Sequence, residues 1–227
     1  MSIMPTSKIY TQVEQEYDKT SKSFQESYNT ISEFEPFVKG FISEVKQNFS
    51  EESELRLLNI GGTADECEHF INQGFQVDNI DISKKMLDFI KLKNLEVNLI
   101  HKNFTEFITH QKYHAVWASR SLIHIPVVDF YNVLCKVNNM LHENGTFASV
   151  FFTTEQNDTG IDEKYVSYKD DEGDEYSYYR VDYNVEKLSN LFDSAGFVIN
   201  NTSITQDQDN ENVVYIQAQP EDLENEN

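Results

Sequence analysis

The chain is poor in positive charge. Only 18 Lys and Arg stand against 39 Asp and Glu, a formal net charge of −21 over 227 residues. Binding DNA or RNA usually draws on a basic face that releases counterions, and no Lys/Arg run offers one. A nucleic-acid partner is therefore not expected, and the acidity reads as solubility. Cysteine is scarce too: Cys67 and Cys135 belong to no Cys-x-x-Cys pair. A disulfide scaffold is not expected, and a reducing compartment fits better. No apolar run approaches the ~18 residues of a membrane span, and Met1–Tyr10 lacks the apolar stretch of a signal peptide. The cytoplasm is the expected location, with no membrane partner. No Cys/His cluster suggests zinc. His110 and His114 are four apart, but a strand begins between them, so the helical metal-pair reading fails. No metal is expected.

Aromatic and aliphatic residues are plentiful, and their order is informative. Phe34, Phe37, Val38, Phe41, Ile42 and Val45 have helical spacing, with a helix break expected near Glu35–Pro36. Leu55–Ile60 then reads as a buried strand ended by Gly61–Gly62. Further strands follow at Gln76–Ile82, Val97–Ile100, Tyr113–Ala118 and Thr146–Phe152, the last after an Asn144–Gly145 turn. Helices fall between them over Asp65–Gln73, from Ser83, over Phe104–Ile108 and over Asp129–Leu141. This alternation implies βαβ units, a parallel sheet and an α/β fold with helices on both faces. Thr153–Tyr183 reads as a long loop with room for a short hairpin. A helix follows over Val185–Ala195, and then an antiparallel pair, Phe197–Ile204 and Val213–Ala218. The polar segment between that pair is expected to be mobile. The division expected is a helical cap over 1–50, an α/β domain over 51–219 with a lid-like insertion at about 153–183, and a disordered acidic tail over 220–227.

Ligands of such sheets bind beyond the carboxyl ends of the strands. Three strand ends carry suitable chemistry. Asn59-Ile60-Gly61-Gly62 lets a ligand approach the backbone at a helix start; a plain tight turn is the alternative. Asp81, twenty residues after Gly61, is placed to accept bonds from both hydroxyls of a ribose; a helix-start acid is the alternative. Asn103 and Phe104 suit the exocyclic amine and the ring of a base, or else an N-cap and a core residue. Ser119 and Ser121 have no triad context, so a hydrolase is not expected. A nicotinamide-cofactor dehydrogenase is disfavoured, because Gly-x-Gly-x-x-Gly is absent after the first strand.

The chain resembles the class I S-adenosylmethionine-dependent methyltransferases, in particular the single-domain type acting on small molecules. The resemblance runs from about Tyr17 to Phe197. It is carried by Arg56–Gly62, Val77–Leu87, Trp117–Pro126 and Leu141–Thr146. It implies a Rossmann-like methyltransferase fold, a seven-stranded, mostly parallel sheet whose last strand is antiparallel. It also implies S-adenosylmethionine as cofactor and methyl transfer to a small molecule, by a monomer or homodimer. The positions implied at the cofactor are Tyr17, Asn59, Gly61, Gly62, Asp81, Ile82, Asn103, Phe104, Ser119 and Arg120, with Phe24 as a second aromatic on the capping helix. His124 follows the fourth strand and is a candidate general base; a plain loop histidine is the alternative. In the insertion, Tyr179, Arg180 and Tyr183 are candidates for an aromatic substrate pocket, or for hairpin packing. The acids Asp170, Asp171, Glu172, Asp174 and Glu175 read as a solvated loop.

The family's glycine motif is altered. Thr63 and Asp65 stand where later glycines belong, and Asn59 and Asn103 replace the usual Asp. Asp65 and Glu66 would set negative charge beside the cofactor's carboxylate, a like-charge cost of up to ~4 kcal/mol at close range. A non-catalytic protein on the same fold is the alternative these changes favour.

Overall fold

The computed structural model describes residues 5–27, 30–50, 54–154, 159–169 and 175–222. In chain order the elements are α1 (Thr6–Ser27), α2 (Thr30–Glu33), α3 (Glu35–Asn48), β1 (Leu55–Ile60), α4 (Ala64–Asn72), β2 (Phe75–Asp81), α5 (Lys84–Leu92), β3 (Val97–His101), β4 (Tyr113–Ser119), α6 (Val127–Met140), β5 (Leu141–Phe152), β6 (Ile161–Lys169), β7 (Glu175–Tyr183), α7 (Val185–Ser194), β8 (Phe197–Gln206) and β9 (Asn212–Pro220). Short 3-10 turns lie at Phe104–Glu106 and Leu122–His124.

Seven strands form one sheet in the order β3-β2-β1-β4-β5-β9-β8. The first five run parallel, and β9 is antiparallel to both β5 and β8. The order reverses between β1 and β4, so a crevice opens there beyond the strand ends. Side-chain alternation gives the sheet two aromatic layers. Trp117 of β4 and Tyr215 of β9 face Phe41 of α3 and Phe70 of α4. Phe147 and Phe151 of β5 face Phe130 of α6 and Phe192 of α7. All eight are fully buried. Each buried side chain of this size contributes ~1.5–3 kcal/mol through the hydrophobic effect alone.

The helix break expected near Glu35–Pro36 falls at Phe34, and Pro36 sits in the first turn of α3, where its missing N–H is harmless. Three expectations are corrected. β5 starts at Leu141 and runs through Asn144–Gly145 as strand. The insertion is mostly strand, a ribbon of two nine-residue antiparallel strands, β6 and β7, separate from the main sheet. The β8–β9 turn buries Asp207, whose Oδ1 accepts from the Asp209 and Glu211 N–H groups. Of the acids expected in a solvated loop, Glu175 opens β7, while 170–174 lie outside the described residues, as do 51–53 and 223–227.

Candidate functional site

Beyond the carboxyl ends of β1, β2, β3 and β4 lies a cavity of about 90 Å³. Small-molecule sites typically offer ~300–1,000 Å³. The difference is made by α1, which lies across the mouth. Tyr10, Val13, Tyr17 and Phe24 share the face that closes it. The residues i, i+3, i+7 and i+14 of one helix do share a face, so Tyr10 and Val13 were readable beside Tyr17.

The floor holds Asp81. Its Oδ1 accepts from the Ser83 N–H at 2.7 Å, while Ser83 caps α5. Burial pushes the carboxyl up to about 7; the Ser83 bond opposes this and the charge of Asp18 adds to it. Asp18, on α1, accepts from Ser83 Oγ at 2.6 Å and from the Lys85 N–H at 3.1 Å. Its carboxylate ties the covering helix to α5. Ile82, Asn103 and Phe104 line the same end. Asn103 Oδ1 is spent on the Thr105 N–H and hydroxyl. Its amide nitrogen is the group left to meet a ligand.

The β1 turn is built for close packing. Gly61 has φ +67°, and an added Cβ would lie 2.5 Å from Ser121 Cβ. At Gly62 it would lie 1.8 Å from Asn59 Nδ2. Gly61 lines the cavity; Gly62 and Asn59, also expected there, are buried and do not line it. Asn59 Nδ2 reaches Cys67 Sγ at 3.9 Å, leaving its Oδ1 without a hydrogen-bond partner.

The acids after the turn do not face the cavity. Thr63 Oγ1 accepts from the Glu66 N–H at 3.3 Å, and Glu66 Oε2 accepts from the Thr63 N–H at 2.7 Å. This is a capping box, and Thr63-Ala64-Asp65-Glu66 spells its signature. Glu66 Oε1 takes the Trp117 indole N–H at 2.9 Å, and burial raises its pKa. Asp65 pairs with Lys93 at 3.8 Å on the outside of α4. The expected repulsion between Asp65 and a ligand carboxylate therefore loses its geometric basis.

The last residue of β4, Ser119, and the loop after it, with Arg120, Ser121 and His124, supply the wall. The hydroxyls of Ser119 and Ser121 are buried without partners. Arg120 holds φ 52°, unusual for a non-glycine residue. Its guanidinium donates to Glu33 at 3.2 and 2.9 Å, lies 3.6 Å from Asp207 and rests 5.3 Å from the Phe34 ring centre. Glu33 and Asp207 escape a reading of the sequence because they lie 87 positions away on either side.

His124 is clamped. Its Nδ1 bonds the Tyr179 carbonyl at 2.6 Å, and its Nε2 meets the Tyr17 hydroxyl at 2.9 Å. A carbonyl only accepts, so Nδ1 carries the proton and Nε2 accepts from Tyr17. Burial pushes the pKa down to about 4, against the carbonyl bond.

The three candidates from the insertion are not brought to the cavity. Tyr183 is fully buried, stacked on Phe130 at 5.0 Å. Arg180 is held by Asp182, Glu211 and Tyr168 over the Phe152 ring. Tyr179 lends its carbonyl to His124 and its hydroxyl to Glu163. β7 instead braces α1 through Tyr178, whose hydroxyl bonds Thr20 at 2.5 Å, and through the Ser177 carbonyl, which accepts from Gln12 at 3.3 Å. Among the described residues, no group of three or more His, Cys, Asp or Glu is placed to hold a metal. No helix among them is long and apolar enough to cross a membrane.

No protein-family model and no curated protein matches the sequence. Solved structures do match the fold. A Burkholderia thailandensis 1,6-didemethyltoxoflavin-N1-methyltransferase, solved with S-adenosylhomocysteine and 1,6-didemethyltoxoflavin, superposes with a TM-score of 0.71 at 11% identity, covering 98% of this chain and 93% of its own. DhpI with S-adenosylhomocysteine gives 0.68 at 12% identity, with 94% and 97% covered. A Methanosarcina mazei S-adenosylmethionine-dependent methyltransferase gives 0.63 at 13%, with 75% and 94% covered. The sheet order, its reversed strand and these superpositions together give the chain the fold of the class I S-adenosylmethionine-dependent methyltransferases.

Proposed function

We propose that the protein is an S-adenosylmethionine-dependent methyltransferase acting on a small molecule. The observation that carries this reading is the cavity at the strand-order reversal, floored by a buried carboxylate and walled by unpartnered hydroxyls. Those groups fit the cofactor. Asp81 would take the ribose hydroxyls, with Ile82, Asn103 and Phe104 around the base. Ser119 and Ser121, next to Gly61, would meet the amino-acid tail. When bound, the cofactor supplies an electrophilic methyl group on its sulfonium. The chain's own work is positioning and exclusion of water. Tyr17 and Phe24 cover the site, and His124 with Tyr17 is the proton-accepting pair for an acceptor that must lose a proton. The S-adenosylhomocysteine bound in structural neighbours that include small-molecule methyltransferases supports this reading.

Calorimetric titration with S-adenosylmethionine and S-adenosylhomocysteine tests it. Saturable binding of both is expected; no heat at about 1 mM ligand from folded protein would sink the proposal.

The state of His124 makes a second expectation. Its second proton binds only near pH 4, so Nε2 stays unprotonated, accepting from Tyr17, throughout the neutral range. With both ligands saturating, kcat should stay flat from about pH 6 to pH 9, and His124→Ala should lower it roughly 100-fold while S-adenosylhomocysteine affinity holds within about threefold. A fall in kcat centred near pH 6.5 that vanishes in the alanine variant would contradict the structural assignment.

A further inference from the structure

The ribbon of β6 and β7 is separate from the main sheet. Two strands alone are marginal in water, so the ribbon's seat is set by what it touches. Three consecutive residues of β7 meet the Tyr17–His124 pair or the helix that carries Tyr17. The Ser177 carbonyl accepts from Gln12 at 3.3 Å, the Tyr178 hydroxyl bonds Thr20 at 2.5 Å, and the Tyr179 carbonyl accepts from His124 Nδ1 at 2.6 Å. The Tyr178 ring lies 4.9 Å from that of Tyr17 and 6.1 Å from that of His124. Glu163, on β6, pins this strand to the histidine's own loop. Its Oε1 accepts from the Tyr179 hydroxyl, and from the Val127 N–H at 3.3 Å. Val127 opens α6 three residues after His124, and Pro126 stiffens the link between them. A closed ring results. It runs from the His124 imidazole to the Tyr179 carbonyl, from the Tyr179 hydroxyl to Glu163, from Glu163 to Val127, and along the chain back to His124. Arg180 anchors the ribbon elsewhere, to Glu211 at 2.8 Å. Glu163 is the anchor on the histidine's side.

We infer that Glu163 is a positioning residue: it holds the Tyr179 carbonyl against His124 Nδ1 and so fixes which ring nitrogen is left bare toward Tyr17. The inference rests on the reading of His124 as a proton acceptor in methyl transfer and deepens it. A neutral imidazole carries its one proton on either nitrogen, and the hydrogen bonds it makes decide which. With the carbonyl in place, Nδ1 keeps the proton and Nε2 accepts from Tyr17. With the carbonyl drawn back, the ring exchanges between its two forms, and the form protonated on Nε2 has no acceptor there. Glu163 is exposed, so removing its side chain opens no cavity in the core.

The test is nitrogen-15 NMR of the His124 ring in the full chain without ligand, at about pH 7.5, where the imidazole is neutral. The chain has six histidines, and the signals of His124 are those that persist when each of the others is replaced in turn by glutamine. The unsubstituted protein should show one protonated and one bare ring nitrogen. In Glu163→Ala the two shifts should move toward each other, reporting about a tenfold rise in the form protonated on Nε2. Tyr179→Phe deletes the hydroxyl and keeps the carbonyl, and should do the same. The double variant should add little to either, because both cut one link. Glu163→Gln keeps an oxygen for both donors and should recover most of the native spectrum. A tautomer ratio unchanged within about twofold in Glu163→Ala and Tyr179→Phe would overturn the inference, even with a lowered urea midpoint, because that pairing marks a merely structural contact. A glutamine variant as altered as the alanine one would overturn it too. Calorimetric titration of the same samples with S-adenosylhomocysteine keeps the two readings apart. Absence of binding by the folded, unsubstituted chain would sink the methyltransferase reading. An unmoved tautomer in chains that still bind would sink the role of Glu163 alone.

Discussion

Asp81→Asn should abolish nucleoside binding and at the same time make the protein more stable at pH 8. Both effects come from one buried carboxyl whose pKa is pushed up to about 7. An ionised Asp81 can accept from two ribose hydroxyls in a dry site, and bonds to a charged group contribute ~1.5–3 kcal/mol each. An amide keeps one acceptor and adds a donor that faces donors. The expected loss is roughly 100-fold or more in affinity for S-adenosylhomocysteine. The stability effect has the opposite sign from that of a salt-bridged aspartate. Here the folded state prefers the protonated form, so the group destabilises the fold as pH rises from about 4 and does so fully above about 7. A displacement of about three pH units corresponds to at most ~4 kcal/mol, reduced by any water that reaches the cavity. Asparagine removes that cost while its oxygen still accepts from the Ser83 N–H. Thermal melts should therefore place Asp81→Asn above the unsubstituted protein at pH 8, with the gap closing toward pH 4. In the unsubstituted protein, ligand affinity should fall by up to tenfold per pH unit below 7. A variant that binds normally, or one less stable than its parent at pH 8, would remove Asp81 from the role given to it.

The second large effect concerns Trp117. It is fully buried among Phe41, Phe70 and Tyr215, and its N–H is the indole donor to Glu66. Trp117→Ala should cost ~3–5 kcal/mol in lost packing. It would also leave the Glu66 carboxylate buried with one fewer donor, a further ~1–3 kcal/mol. Against the ~5–15 kcal/mol that holds most domains together, that sum approaches unfolding. Trp117→Phe separates the parts, because it keeps most of the ring and deletes the N–H. Its cost, read as the shift in urea midpoint, should be greatest at alkaline pH and shrink as Glu66 takes up a proton. A phenylalanine variant that is neutral at pH 8 would show that Glu66 is satisfied by the Thr63 N–H alone.

The alternation of apolar strands and capped helices was legible because each signal is local. Ser83, Asn184 and the Gly61–Gly62 turn all act within four residues of themselves. That Asp81, Asn103 and Phe104 gather at one end of the cavity was legible for the same reason: each ends or follows a strand. The other end was not. Thr63–Glu66 was readable as a capping box, but set against the family's glycine pattern it looked like misplaced charge. Nothing near Arg120 in the sequence announces Glu33 or Asp207. The ribbon misled for a different reason. Tyr179, Val181 and Tyr183 alternate as a strand should, but tyrosines and charges occupy both of its faces, so the contrast that marks a buried strand is faint.

The covering helix has one more property. α1 is fastened to α5 through Asp18 and to the ribbon through Thr20 and Gln12, with Tyr17 bonded to His124 between them. One helix thus joins the cavity to the ribbon. A ligand that shifts α1 at the cavity would strain its bonds to β7, so occupancy of the cavity and the seating of the ribbon are energetically linked.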